Sequence, residues 1–589
     1  MNSGKAPVPH TKFSAMKILT RRQILLSFIL HNKALSLTAL LCGLFANFFV
    51  ILLPVSLGKY FELLFGVGSR RAHYLEWLPG SWWADIPSFL AFFFTLIFLR
   101  TVFHFLQRYS TGLLGERFSQ QVREQLFAHQ LRVNTAIYDQ KGIGKYLLRY
   151  SGDMQSLQKY LTAGMVQFAV DLLLLLIAFG FLLWLNLVIM LVMTAGVALT
   201  LTIMHFLNKK LYATMSKRRN SRSLLLSFIN SRLMTSSTIK AFNKEVTEIQ
   251  KFEKKSNELY KRGRQYQKVY GLIYALGPGL IYAVLGIALW AIYRQYQNGV
   301  AFDSGAMLAF VLLFITILPV LRRIIRVNTV WKTGSLSFEK LLAVLYLEAE
   351  EKNRQVFKFK KGKIEFRKLG FGFSKKDLLF KELNLSIQPG RITVLTAPSG
   401  FGKTTLIKLL MGIYPVQSGQ LLIDGQDLST VDYKTLRRNI SAVSDGFYLL
   451  GKTVFEAISY SRKTNKREEA ARILNALQTG MPDPLCLTLD DEIGDLGARL
   501  SGGQRKLLQY ARAFLTQKPV LLIDEPFTDL PDNIRVNITR LLLEKKEQRT
   551  TLLLTSQWNN DWLQPNAIFE LDKPMKPRNA LHVNDAITR

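Results

Sequence analysis

Apolar residues gather in long blocks before about Val320, whereas beyond Glu348 they alternate or fall in short runs. Each early block is about 20 residues long, the helix length that crosses a bilayer core. Six spans are predicted, at about residues 34–57, 86–106, 166–185, 187–206, 270–293 and 306–326, with the third and fourth forming a hairpin around Asn186. The basic residues flank these blocks: Lys209, Lys210, Lys217, Arg218, Arg219 and Arg222 follow the fourth span, and residues 251–264 precede the fifth. The long segments joining spans two to three and four to five are therefore cationic, and the other loops are not. By the positive-inside rule, both long segments and both termini are expected in the cytoplasm. Trp77, Trp82 and Trp83 fall in the first outer loop, where indole rings suit a membrane interface. Residues 1–33 mix charge with apolar side chains and are expected to form an interfacial elbow helix. Residues 346–363 turn polar and read as a linker, after which Ile364-Glu-Phe-Arg-Lys-Leu-Gly-Phe-Gly-Phe373 alternates as a strand does. The expected division is an elbow at 1–33, a membrane domain at 34–345, the linker, and a second domain at 364–589.

Composition sharpens this picture. Of 589 residues, 49% are hydrophobic, and the mean hydropathy of +0.13 is high for a soluble protein. A formal charge of +35 raises nucleic acid as a partner. The basic runs lack the interleaved aromatics of a base-stacking platform, so the charge reads instead as loops lying against anionic membrane lipid. The two cysteines, Cys42 and Cys486, form no framework, consistent with a reducing compartment around the soluble part.

Thr396-Ala-Pro-Ser-Gly-Phe-Gly-Lys-Thr-Thr405 lies between a β-branched strand and a helical run. Small residues there let backbone N–H groups wrap phosphate oxygens at a helix N-terminus. Ser399, Gly400, Gly402 and Thr405 belong to this loop, Lys403 can reach the terminal phosphates, and the Thr404 hydroxyl can hold Mg²⁺. Ala397 stands where the usual pattern has a glycine, and it is tolerable if its φ stays negative. Val520-Leu-Leu-Ile-Asp-Glu525 is an apolar strand ending in two carboxylates. Its form puts Asp524 near the Mg²⁺ shell and Glu525 beside an attacking water, as a catalytic base.

Between these motifs stands Leu500-Ser-Gly-Gly-Gln504. With all three in this order, the chain resembles an exporter-type half-transporter of the ATP-binding cassette (ABC) family over nearly its whole length. The resemblance implies an all-α, six-helix transmembrane domain with long cytoplasmic extensions, followed by an α/β P-loop cassette. It also implies a multi-pass protein of the plasma or inner membrane that uses ATP and Mg²⁺. Residues 134–141 are expected to form one coupling turn and residues 238–245 the other. Phe373 occupies the place of the aromatic that stacks on adenine. Cassettes of this family work as head-to-tail pairs, so Ser501, Gly502, Gly503 and Gln504 would complete the site of a second half-transporter.

Three positions depart from the family pattern. Asp445 stands where a glutamine should touch Mg²⁺, Ser556 where a histidine should meet the γ-phosphate, and Pro531 where an aspartate should communicate across the dimer. A serine can donate one hydrogen bond but cannot present an imidazole. The chain's own site is therefore expected to bind ATP and hydrolyse it slowly, which favours a heterodimer over a homodimer. The expected function is ATP-driven export or flipping of an amphipathic substrate: a lipid, lipid-linked glycan, peptide or drug. An ATP-gated channel or regulatory subunit is the alternative. Asn47, Arg100, His104, Asp171, Arg322, Arg323 and Arg326 are candidate substrate-path residues; the arginines outnumber the acid, which points to an anionic substrate.

Overall fold

The computed structural model describes residues 20–571, apart from 66–81, 83–84, 142–143, 299–303, 351–354, 375–376, 461–463, 483–485, 545 and 559–562. Trp77, Trp83 and the first part of the expected elbow lie outside the described residues. The chain forms two compact units: Met1–Leu131 with Gly142–Leu347, and Arg132–Lys141 with Glu348–Arg589. The ten residues Arg132–Lys141, taken from sequence as part of the membrane domain, thus belong to the same unit as the cassette.

The first unit is helical. It comprises α1 (Arg21–His31), α2 (Lys33–Phe65) and α3 (Ile86–Gln130). After α4 (Thr135–Lys141), which belongs to the second unit, come α5 (Gly144–Leu147), α6 (Gly152–Leu161), α7 (Phe168–Leu185) and α8 (Leu187–Met234). Then follow α9 (Ser236–Ala241), α10 (Glu245–Gln297) and α11 (Ser304–Leu345). Among the described residues, five stretches are long and apolar enough to cross a membrane, beginning at Lys33, Ile86, Gly152, Leu187 and Glu245. The sixth expected span falls inside α11. Several helices run far beyond the apolar windows: α8 has 48 residues and α10 has 53.

Asn186 replaces a loop between α7 and α8. Its extended backbone, with φ −164°, ends one helix, and its side chain accepts from the N–H groups of Val188 and Ile189 to start the next. Its amide also donates to Gln295 Oε1 at 3.0 Å. In the core of this unit, Asp171 accepts from Arg323 through both oxygens, at 2.7 and 2.8 Å, and Gln167 donates to it at 2.9 Å. Arg323 and Asp171, both named from sequence as candidate substrate-path residues, are therefore paired with each other. Asn47 donates to the Val170 carbonyl, and Arg326 to that of Arg322.

The second unit holds two sheets. β1 (Ile364–Ser374), β2 (Asp377–Ile387), β4 (Ser418–Ile423) and β5 (Gln426–Asp427) form an antiparallel sheet in the order β2-β1-β4-β5. β3 (Ile392–Thr396), β6 (Ile440–Val443), β7 (Val520–Asp524), β8 (Thr550–Thr555) and β9 (Ala567–Glu570) form a parallel sheet in the order β6-β7-β8-β3-β9. Its central strands are buried on both faces, which is why β7 and β8 read as near-continuous apolar or β-branched runs. The helices are α12 (Lys403–Leu410), α13 (Tyr433–Arg437), α14 (Val454–Ser459), α15 (Arg467–Gln478), α16 (Gly502–Thr516) and α17 (Asp532–Leu543). Leu406, Ile407, Leu409 and Leu410 of α12 join one core with Phe366 and Leu421 of the antiparallel sheet and Leu522 and Leu552 of the parallel one. That packing fixes α12 between the sheets.

Candidate nucleotide-binding site

Four strands of the parallel sheet end at one place. The 396–405 loop follows β3, Ser444 and Asp445 follow β6, Asp524 and Glu525 end and follow β7, and Thr555 and Ser556 end and follow β8. Ligands of open parallel sheets bind outside the carboxyl ends of the strands. Here a cavity of about 390 Å³ opens.

Phe373, Ser399, Gly400, Gly402, Lys403, Thr404, Thr405, Asp445, Asp524 and Glu525 all line that cavity. Leu379, Ser444 and Gly446, which sequence reasoning did not single out, line it too. Gly400 and Gly402 have φ of +82° and +102°, the left-handed region where a side chain is strained. A Cβ at Gly402 would also meet Leu379 at 2.4 Å. Ala397 is absent from the positive-φ positions, so its methyl group is accommodated; it is buried, and its N–H donates to the Thr555 carbonyl at 3.0 Å.

Lys403 Nζ donates to the carbonyls of Ala397 at 2.9 Å and Pro398 at 3.3 Å, and to Ser556 Oγ at 3.2 Å. It also lies 3.2 Å from Glu525 Oε1. Thr404 Oγ1 and Ser444 Oγ donate to the same oxygen of Asp524, at 2.5 and 3.0 Å. This gathering of hard oxygens fits Mg²⁺, which takes one or two protein ligands and completes its shell with water and phosphate. No group of three or more His, Cys, Asp or Glu side chains able to hold a metal alone occurs among the described residues.

Glu525 is the most constrained group in the site. Its φ is +45°, and its carboxylate accepts from Ser556 Oγ at 2.6 Å, Ser556 N at 3.3 Å and Thr555 Oγ1 at 3.1 Å. Burial would raise this carboxyl, but the Ser556 hydroxyl and amide, together with Lys403, outweigh it and hold the group below its ordinary range. For Asp524 burial wins, and the group is pushed up despite its two hydroxyl partners.

Phe373 packs edge-on against Phe371 and Tyr414, with ring centroids 5.5 and 5.9 Å away. It is 37% exposed, enough to offer a face to a ligand. Ser501, Gly502, Gly503 and Gln504 do not line this cavity. They begin α16, where Ser501 and Gln504 form a reciprocal capping box, so this pentapeptide is also a helix start. Pro531 sits at the N-cap of α17, and Asp529, with φ +62°, lies against Gly502 and Gly503. Sequence reasoning missed Lys506, which is buried; its sign was a charged residue among the largely apolar buried positions of α16.

A helical body with five described membrane-length stretches, joined to a parallel-sheet domain with a P-loop site, defines a membrane protein that works with nucleotide. The family description "ABC transporter transmembrane region" matches residues 36–320, and "ABC transporter" matches residues 380–528. The ATP-dependent lipid A-core flippase of Nitrosococcus oceani is 27% identical over 469 residues, covering 78% of this chain and 77% of that protein. The flippase of the same description from Pectobacterium atrosepticum is 25% identical over 477 residues, covering 78% and 79%. A solved structure of a bacterial Atm1-family ABC exporter with ATP bound superposes with a TM-score of 0.75 at 18% identity, covering 90% of this chain and 92% of that one. The chain belongs to the ABC transporter family, as an exporter-type half-transporter whose ATPase is coupled to transport across a membrane.

Proposed function

We propose that this chain is one half of an asymmetric exporter that moves or flips an amphipathic, lipid-class substrate across the plasma or inner membrane, with the cassette and both termini in the cytoplasm. The observation that carries the reading is the separation of the two halves of an ATP site: the cavity holds Lys403 and Glu525, whereas Ser501-Gly-Gly-Gln504 lies outside it. A second cassette must then supply its own signature here and receive this one. The first unit also carries exposed apolar side chains at Leu233, Met234, Phe242 and Val246, exposed by 70, 79, 69 and 69%, which suit coverage by that partner.

In this reading Lys403 and the loop amides bind the phosphates of ATP, and Phe373 stacks on the adenine. Thr404 and Asp524, with Asp445 beside them, hold Mg²⁺, which supplies charge screening when bound. Glu525 orients and deprotonates the attacking water. Its lowered basicity and its ties to Ser556 make it a weak base, so this site is slow. A partner carrying the usual glutamine and histidine would form the fast site, completed by this chain's signature.

The lipid-class substrate rests on the relatives described as lipid A-core flippases and on the cationic side chains Arg100, Arg322 and Arg326 of the membrane unit, which come in addition to the Asp171–Arg323 pair. The test is ATP-dependent movement of a fluorescent anionic lipid between leaflets of vesicles holding the purified complex. Movement is expected to stop with Lys403→Ala; equal movement in that variant, or none in the wild type with any lipid, refutes the proposal. For asymmetry, Ser501→Arg should nearly abolish steady-state ATPase activity while Glu525→Gln reduces it only modestly; equal damage, with brisk turnover by this chain alone, would establish a homodimer.

A further inference from the structure

Lys506 lies on the inner face of α16, two residues beyond the signature, and is only 4% exposed. A lysine seldom occupies such a place unless its ammonium is paired. Its Nζ donates to the backbone carbonyl of Glu525, and it faces the carboxylates of Asp445, Asp524, Glu525 and Asp529. One turn further along the same face, the buried Tyr510 hydroxyl donates to the carbonyl of Pro526 at 2.7 Å. Two consecutive carbonyls after β7 are thus held by two side chains of one helix.

The backbone they hold is unusual. Glu525 adopts φ +45°, which a side-chain-bearing residue keeps only where its surroundings enforce it. On its other side, its N–H donates to the Leu554 carbonyl at 2.7 Å. A Cβ at Gly503 would meet the Asp529 carbonyl at 2.7 Å, so the first turn of α16 is pressed against the same segment. A hydrophobic side chain at position 506 would leave four acids with one fewer buried cation and the Glu525 carbonyl without this donor.

We propose that Lys506 is a positioning residue that ties the helix bearing this chain's signature to the backbone of its own Glu525, so that a signature engaged with the partner's nucleotide aims this chain's carboxylate. This rests on the reading of Glu525 as the base. Lys506 does not touch ATP in this arrangement; it acts through the placement of Glu525. It also supplies a counter-charge for Asp445, the acid standing where glutamine was expected.

The test is single-turnover hydrolysis by the full-length complex in lipid nanodiscs, comparing Lys506→Met, Lys506→Arg, Glu525→Gln and the Lys506→Met/Glu525→Gln double variant. Glu525→Gln identifies the kinetic phase that belongs to this chain's site. Lys506→Met is expected to slow that same phase by about fivefold or more while fluorescent-ATP affinity stays within about twofold, the mark of a group acting on the chemical step. Lys506→Arg should restore most of the rate, and the double variant should be no slower than Glu525→Gln alone. An unchanged phase in Lys506→Met, or losses that multiply in the double variant, would overturn the inference while leaving Glu525 as base. A Glu525→Gln complex with every phase unchanged would overturn the Glu525 reading and this one with it. Should Lys506→Met fail to fold, Lys506→Gln against Lys506→Arg decides the same point: equal rates refute it.

Discussion

The phenol of Tyr414 donates to Asp139 Oδ2 at 2.5 Å, and Lys408 Nζ reaches the same oxygen at 3.2 Å. Asp139 belongs to α4, Lys408 to the helix that begins with Lys403, and Tyr414 stacks on Phe371 and meets Phe373. One carboxylate of α4 is therefore joined both to the phosphate-loop helix and to the aromatic cluster beneath the proposed adenine face. Ala136 adds an apolar contact to the same core, and Glu350 accepts from Arg437 at 2.6 Å where the chain returns from the first unit.

Replacing Tyr414 with phenylalanine should loosen α4 without disturbing the stacked rings. Hydrogen–deuterium exchange over Thr135–Lys141 is expected to speed up, since one such bond contributes about 1 kcal/mol net. Unchanged exchange would mean that the Lys408 bond to Asp139 and the contact of Ala136 seat the helix without the phenol.

Lys403→Ala should weaken ATP binding at this chain's own site by roughly 10- to 150-fold, the equivalent of about 1.5–3 kcal/mol for a hydrogen bond to a charged group. Titration with a fluorescent ATP analogue reads this directly. Photolabelling of this subunit at wild-type strength would contradict the assignment.

Ser556→Ala removes the hydroxyl that helps hold the Glu525 carboxyl below its ordinary range. The carboxyl should rise, and because the base works only when deprotonated, the acid limb of the pH–rate profile should move to higher pH. Above that limb the rate should increase, since the stronger base is still ionised there. A profile that keeps its acid limb in place would show that Ser556 does not tune Glu525.

Arg323→Gln leaves Asp171, 2% exposed, without its bidentate partner in the membrane unit. Stability should fall by about 1–3 kcal/mol, since the buried carboxylate loses its charged partner and keeps the bond from Gln167. The Asp171→Asn/Arg323→Gln pair should recover part of the loss, measured as thermal melting in detergent.

How much of this was legible in sequence depended on the range of the information. The apolar blocks are local signals about 20 residues long, and helices occur at each. The P-loop and the Asp524-Glu525 strand end are equally local, and the sheet topology brings them together at one cavity. What could not be read is pairing across the fold. Asp171 and Arg323 are 152 residues apart, and sequence named both as substrate-path candidates without joining them as a pair. The attachment of Arg132–Lys141 to the cassette's unit depends on contacts with residues more than 200 positions later, such as Val133 with Ala349. Ser556 was recognisable as a departure from the family pattern, but not as a hydrogen-bond donor to Glu525.

Asn186 has a mechanical consequence. Because a single residue closes α7 and opens α8, there is no slack between them to absorb a twist. A displacement of the first turn of α8, which the Asn186 side chain caps, should therefore carry the last turn of α7 with it. Lengthening this joint with inserted glycines should let the two helix ends move independently of one another.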